Sequence, residues 1–331
     1  MKILITGASG FIGSHTAVEL LNSGFNVFGL DNFCNSSRKV VNNIKKITNR
    51  NFFIYDCDIR NKEFLCYILD KERPNFVIHF AGLKSVEESI LDPIKYYENN
   101  VYGTINLLST MKMFKIKNLI FSSSATVYGN TKPPFDELAS VNIPISPYGK
   151  SKFIVEQILF DLFDFNTVIL RYFNPVGAHD SLLIGENPSD IPNNLMPLIT
   201  QVAYCSLPKL KIFGDNYDTP DGTCIRDYIH VTDLAKGHVK SIDYLVANKG
   251  THVFNLGTGK GTSVMELIKT FEKVNSVKIN FEIVDRRPGD VDVSYASIEK
   301  ASEKLKWKTK FDLDEMCRSA WEWEKNKRGI S

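Results

Sequence analysis

Gly7-Ala8-Ser9-Gly10-Phe11-Ile12-Gly13 stands directly behind a short apolar run, Lys2-Ile3-Leu4-Ile5-Thr6, and directly ahead of a helical pattern from Phe11 to Asn22. Few folds accept that order. Glycines at this spacing let the chain leave a strand in a tight turn and bring backbone N–H groups close to a ligand. They also let the following helix pack against the strand. The alternation continues. Asn26 to Leu30 reads as a second strand ending at Asp31, and Phe52 to Tyr55 as a third ending at Asp56-Cys57-Asp58. Phe76 to Phe80, Leu119 to Phe121 and Thr167 to Leu170 read as the fourth, fifth and sixth. Nearly continuous apolar strands separated by helices predict a parallel sheet covered on both faces, with right-handed crossovers.

The fold class is therefore α/β: a doubly wound parallel sheet of Rossmann type with a smaller mixed α/β lobe. Asp92 to Phe114 and Pro147 to Phe163 read as long helices, the second with Phe153, Ile154, Ile158 and Leu162 at helical spacing. Both have room for a second apolar stripe that would meet a partner subunit. After Asn174-Pro175, prolines and glycines break the chain into short elements. Regularity returns in a helix from Thr232, read as its cap, to Tyr244, and in a strand from Val253 to Leu256. The expected division is 1–174 for the sheet, with 231–258 returning to it, and 175–331 for the lobe.

With 331 residues, 43% hydrophobic and 24% charged, the chain has the make-up of an ordinary globular protein with ample core. A net charge of +2 gives no electrostatic case for nucleic acid or an anionic membrane. The basic run from Arg38 to Arg50 lacks interleaved aromatics and reads as a solvated helix face. The leading apolar run is too short for a signal peptide, and no 18-residue apolar stretch predicts a membrane span. Six scattered cysteines form no Cys-x-x-Cys pair, and no histidine stands at metal-ligand spacing. Buried free thiols in a reducing cytoplasm and no metal site are expected.

Asp31 lies 18 residues beyond Gly13, at the end of strand two. A carboxylate there accepts from adenosine ribose hydroxyls and repels a 2′-phosphate, so the expected cofactor is NAD. The other reading of Asp31 is a cap on the following loop. Tyr148 and Lys152 lie four apart at a helix start and share a face. A free tyrosine titrates near pH ~10. A neighbouring ammonium and a positive nicotinamide ring both favour the phenolate, which then serves as general base. Ser122-Ser123-Ser124 follows strand five, and ligands of open α/β sheets sit at the carboxyl ends of strands.

The glycine pattern, Asp31, Ser124 and the Tyr148/Lys152 pair resemble the extended short-chain dehydrogenases/reductases. Longer blocks narrow the likeness. His79 to Lys84, Phe121 to Gly129, Leu170 to Ala178, Ile191 to Pro197 and Asp221 to His230 resemble the UDP-glucose 4-epimerase family essentially end to end. The resemblance implies inversion at C4 of a UDP-hexose through a transient 4-keto sugar, with NAD staying bound and Tyr148 lending and recovering a proton. It implies Tyr148, Lys152 and Ser124 as the catalytic set. Cofactor contacts would come from Gly7, Gly10, Phe11, Ile12, Gly13, Asp31, Asn32, Asn35, Asp58, Ile59, Phe80, Ala81, Gly82, Lys84, Asn99, Ser122, Tyr148, Lys152 and Phe173. Substrate contacts would come from Lys84, Ser124, Thr126, Tyr148, Asn174, Asn194, Leu195, Phe213, Arg226, Arg287, Asp290 and Ser294. A planar guanidinium fork suits a diphosphate at Arg226 and Arg287, whereas Arg286 reads as a surface ion pair. A homodimer through the two long helices is also implied.

One position departs from the pattern. Members restricted to plain hexoses carry a tyrosine four residues beyond the aspartate of the Arg-x-x-Gly-Asp block, and members accepting N-acetylated sugars carry a smaller residue. Here that position is Ser294, with Tyr295 next to it. Serine leaves room for an acetamido group, so UDP-GlcNAc and UDP-GalNAc are expected as further substrates. A one-residue local shift would put Tyr295 there instead. Two other readings remain: a nucleotide-sugar 4,6-dehydratase and a non-catalytic NAD-binding protein. The dehydratase needs an acid after the serine that follows strand five, where Ala125 and Thr126 stand. The non-catalytic protein would usually lack the tyrosine or the lysine.

Overall fold

A computed structural model describes residues 1–129, 131–139, 144–188, 192, 194–287 and 289–329. The first half runs β1 (Lys2–Thr6), α1 (Phe11–Asn22), β2 (Asn26–Asp31), α2 (Lys39–Thr48), β3 (Ile54–Asp56), α3 (Lys62–Glu72), β4 (Phe76–His79), α4 (Val86–Leu91), α5 (Pro93–Tyr96), α6 (Gly103–Met113), β5 (Asn118–Ser124), α7 (Pro147–Asp161) and β6 (Asn166–Tyr172). The second half runs β7 (Asn174–Val176), α8 (Leu195–Ala203), β8 (Leu210–Phe213), β9 (Ile225–Arg226), β10 (Tyr228–His230), α9 (Val231–Ala247), β11 (Thr251–Leu256), β12 (Thr262–Ser263), α10 (Val264–Asn275), β13 (Phe281–Val284), β14 (Val293–Ser294), α11 (Glu299–Lys304) and α12 (Leu313–Lys327).

Seven strands form one parallel sheet in the order β11-β6-β5-β4-β1-β2-β3. Strand pleating explains its two cores. Ile3 and Ile5 of β1 join one apolar cluster with α1, α2 and α9, while Leu4 joins a second with α3, α6 and α7. The chain order reverses between β1 and β4, and ligands of such sheets bind in the crevice at that reversal. A third cluster, including Val176, Ile199, Ile212, Phe271 and Trp321, forms the core of the smaller lobe around β8, β13, α8, α10 and α12.

Several expected elements differ in detail. Strand three begins at Ile54, where its pairing with Gly29 of β2 starts, rather than at Phe52. The helix expected from Asp92 is interrupted: α5 passes into a π-helical turn at Tyr97–Tyr102 before α6. Helix α9 is capped by the His230 side chain, which accepts from the Thr232 N–H, so the cap is not Thr232. All six cysteines are free, but Cys34 and Cys205 are exposed rather than buried. Among the described residues no helix is long and apolar enough to cross a membrane, and no His/Cys/Asp/Glu group is arranged to hold a metal.

Candidate active site

The glycine turn is built for close approach. Gly7 has φ +69°, and a Cβ there would sit 2.8 Å from the Ala81 nitrogen. A Cβ on Gly13 would lie 2.1 Å from the Gly7 carbonyl oxygen, so α1 packs on the turn only because that atom is missing. Helix α1 starts at Phe11 and Ile12 with Gly10 as its N-cap, and no side chain caps it. Its first N–H groups are left for an anion. Asp31, buried at the end of β2, accepts from the Ser9 N–H at 3.0 Å and the Phe33 N–H at 2.8 Å. It therefore braces the turn and caps its own loop. Asn32 donates to Asp58 at 2.9 Å, and the Arg60 guanidinium holds the Asp58 carboxyl down to about 2. Asn35 is exposed on the same loop, and Ile59 is buried where Gly103 leaves it space.

Behind the turn, the buried His79 ring bridges Thr6 (2.7 Å) and Thr104 (2.8 Å), and burial lowers its pKa to about 3. This neutral bridge fixes the exit of β4 into Phe80-Ala81-Gly82. The Phe80 ring packs on His238 at 4.7 Å, and the Ala81 N–H donates to the Thr6 hydroxyl. Asn100, inside the π-helical turn and next to Asn99, accepts from the Leu83 N–H at 2.8 Å and donates to Ser151 at 3.1 Å. It ties the loop after β4 to α7.

Ser146 caps α7 by accepting from the Gly149 N–H, and Pro147 opens the helix, so Tyr148 falls in the first turn. Lys152 is one turn on. Its ammonium donates to the Ser122 carbonyl at 2.8 Å, lies over the Phe121 ring and passes close to Gly82. Burial pushes the Lys152 amine down to about 8, opposed by Glu156. Burial pushes the Tyr148 phenol up, opposed by a hydrogen bond with Ser124. The Ser124 hydroxyl accepts from the Thr126 N–H (3.2 Å) and hydroxyl (3.0 Å). The Ser122 hydroxyl bonds the Tyr172 phenol. Phe173 is buried against Phe135.

In the second half of the chain, the residues expected to hold the substrate gather around one carboxylate. Arg226 donates to the Ile225 and Val291 carbonyls, both at 2.8 Å, and lies 3.5 Å from Asp290. Arg287 donates to the other Asp290 oxygen at 3.0 Å and covers the Phe213 ring at 4.7 Å. One carboxylate thus holds two guanidinium forks near each other. Arg286 instead stacks on Tyr217 and bonds Asn216. Asn174 opens β7, and Asn194 and Leu195 open α8. Ile191 and Asn193 of the expected block lie outside the described residues. Ser294 pairs with Arg226 and Val293 with Ile225 in a parallel register. Paired side chains of a ladder share a face, so Ser294 stands on the Arg226 side. Tyr295 turns the other way, its ring beside Gly261 and Ile225.

Sequence reasoning missed several supporting side chains. Glu156 is fully buried and grips Arg171 through two hydrogen bonds of 3.0 and 2.6 Å. Its spacing of four from Lys152 on α7 was the available signal. Asp227, buried beside Arg226, accepts from the Thr258, Gly259 and Ala296 N–H groups and so fixes the exit of β14. Glu186 meets both Lys84 and Asn194. Neither Asp227 nor Glu186 has a periodic neighbour that would have marked it.

A family model described as GDP-mannose 4,6 dehydratase matches residues 4–320. The chain is 49% identical over 330 residues to the UDP-glucose 4-epimerase of Pasteurella multocida (strain Pm70), covering 98% of each. Among solved structures it is similar to a UDP-glucose 4-epimerase from Stenotrophomonas maltophila with bound NAD and formylated UDP-arabinopyranose, at 45% identity and TM-score 0.97 over 100% of both chains. It matches the Bifidobacterium longum UDP-glucose 4-epimerase in complex with NAD+ and UDP equally well, at 45% identity, TM-score 0.97 and 100% of both chains.

Proposed function

The chain belongs to the UDP-glucose 4-epimerase family, and we propose that Tyr148 carries the proton while C4 of a UDP-hexose is inverted in an NAD-dependent reaction. One observation carries the reading: Lys152, on the Tyr148 face of α7, reaches both the Ser122 carbonyl at the end of β5 and the edge of Gly82. That contact, between α7 and the carboxyl end of β5, supports reading α7 as the helix that carries the base.

The residues fit NAD. The turn at Gly7, Gly10 and Gly13 is a cradle that a Cβ would fill, and the buried Asp31 carboxylate at the end of β2 suits ribose hydroxyls rather than a 2′-phosphate. Bound NAD supplies a reversible hydride acceptor for C4. Tyr148 takes the 4-hydroxyl proton and returns it on the other face. Ser124 hydrogen-bonds the phenol and relays toward the sugar hydroxyl, and Lys152, on the same helical face, is the charge proposed to favour the phenolate. Arg226 and Arg287, spaced by Asp290, hold the diphosphate while the sugar turns.

The dehydratase reading is weaker, because the turn Ala125–Tyr128 after Ser124 carries no carboxylate to expel water. Incubating the purified protein with UDP-galactose, without added NAD, tests the reading. UDP-glucose is expected to accumulate toward equilibrium; a 4-keto-6-deoxy product, or no turnover from protein that contains NAD, overturns it.

Ser294 on the Arg226 face, with Tyr295 turned away, supports acceptance of UDP-GlcNAc and UDP-GalNAc as well. The pairing of β11 with β6 and the packing of α9 on α1 support a cofactor unit of 1–174 with 231–258, and a nucleotide-sugar lobe over the remainder of 175–331. Exposed apolar side chains at Leu91, Ile94, Tyr102 and Ile105, and at Ile154 and Phe160 of α7, support a homodimer through these helices. Six free thiols suit a reducing compartment and support a cytoplasmic location.

A further inference from the structure

Lys84 and Asn194 come from different parts of the chain and meet at one carboxylate. Lys84 follows β4 in the sheet, and Asn194 is the N-cap of α8 in the lobe, yet its side chain caps nothing there. Both donate to a single atom, Glu186 Oε1, at 2.8 and 2.6 Å. The Glu186 side chain is only 9% exposed. Its backbone is fixed from behind: the Glu186 carbonyl accepts from the Trp323 indole at 3.1 Å, and the Trp323 ring fills the space above Gly185. Just upstream, the Leu183 carbonyl accepts from Asn43 at 2.7 Å and the Leu182 carbonyl from Asn326 at 2.6 Å. A carboxylate anchored this firmly is a template rather than a mobile surface acid.

Resting on the epimerase reading above, we propose that Glu186 is a positioning residue of the sugar-nucleotide pocket, orienting Asn194 and Lys84 from the two lobes toward one bound substrate. The chemistry follows from the donor inventory. A carboxylate only accepts, so the Asn194 NH2 must face it, which leaves Asn194 Oδ1 and its second N–H for the ligand. Lys84 uses one of three N–H donors on Glu186 and keeps the others. Losing the carboxylate frees both side chains to wander and removes their shared reference point.

The test compares wild type with Glu186→Gln and Glu186→Ala, as NAD-containing holoenzyme, on UDP-galactose. KM is expected to rise about tenfold in the alanine variant and less in the glutamine variant, which keeps an acceptor. kcat per NAD-loaded site is expected to stay within about twofold, with NAD content measured for each variant so that the KM change is read on loaded enzyme only. Combined with Asn194→Ala, the alanine variant should add little to the KM of Asn194→Ala alone. An unchanged KM, or effects that simply multiply, overturns the proposal. Should the alanine variant fail to fold, the glutamine variant alone decides on the same KM criterion. Calorimetric binding of UDP to the same proteins separates the two ideas. A wild type that does not turn over UDP-galactose refutes the epimerase reading, whereas equal UDP affinity in wild type and both variants refutes the role of Glu186.

Discussion

Glu156 of α7 and Arg171 of β6 meet as a two-pronged pair in the interior, both essentially inaccessible to solvent. Ser123 donates a third hydrogen bond to the same carboxylate, and the guanidinium lies over the Tyr128 ring. The pair locks α7 to β5 and β6.

Removing one partner strands the other charge in a dry environment. Glu156→Gln is expected to cost about 3–5 kcal/mol, read as a drop in denaturation midpoint at constant slope. Replacing both, as Glu156→Met with Arg171→Met, should recover most of that loss, because a well-packed apolar pair avoids desolvation altogether. A double variant as unstable as the single one would show that the pair is itself a net source of stability.

Lys152 gives a pH dependence with a definite sign. Its amine titrates near 8 in the fold against 10.5 when free, so the unfolded chain binds more protons between those values. Stability owed to this residue is therefore lowest below pH 8 and rises through the window to 10.5. Compared with Lys152→Met, the wild type should gain on the order of 3 kcal/mol across that range, because each tenfold loss of proton affinity on folding is worth about 1.4 kcal/mol. Thermal melts of both proteins from pH 7 to pH ~10.5 check it. A constant gap between the two would refute burial as the cause.

Ser294→Tyr tests the pocket wall. Turnover of UDP-GlcNAc is expected to fall at least tenfold while turnover of UDP-galactose holds within a few-fold, if a ring on the Arg226 face fills the room proposed for an acetamido group. Equal loss of both substrates would mean that the tyrosine disturbs the diphosphate contacts instead. No UDP-GlcNAc turnover by the wild type would remove the premise.

The glycine turn, Asp31 at a strand end, and the Tyr148/Lys152 spacing were all legible in the sequence. Each is a local device: its φ angle, strand end or helical face is set by residues within a few positions. The order of apolar runs likewise carried the parallel sheet, because covered strands must be apolar on both faces. The ambiguity between Ser294 and Tyr295 could not be resolved that way, since it depends on the register of a two-residue strand against β9. The same holds for Glu186, which joins Lys84 across 102 positions of chain to Asn194 eight positions ahead. A single carboxylate has no periodicity to betray it. Where its oxygen lies is decided by how Trp323 packs on Gly185 and how the lobe closes on the sheet, and those are tertiary contacts.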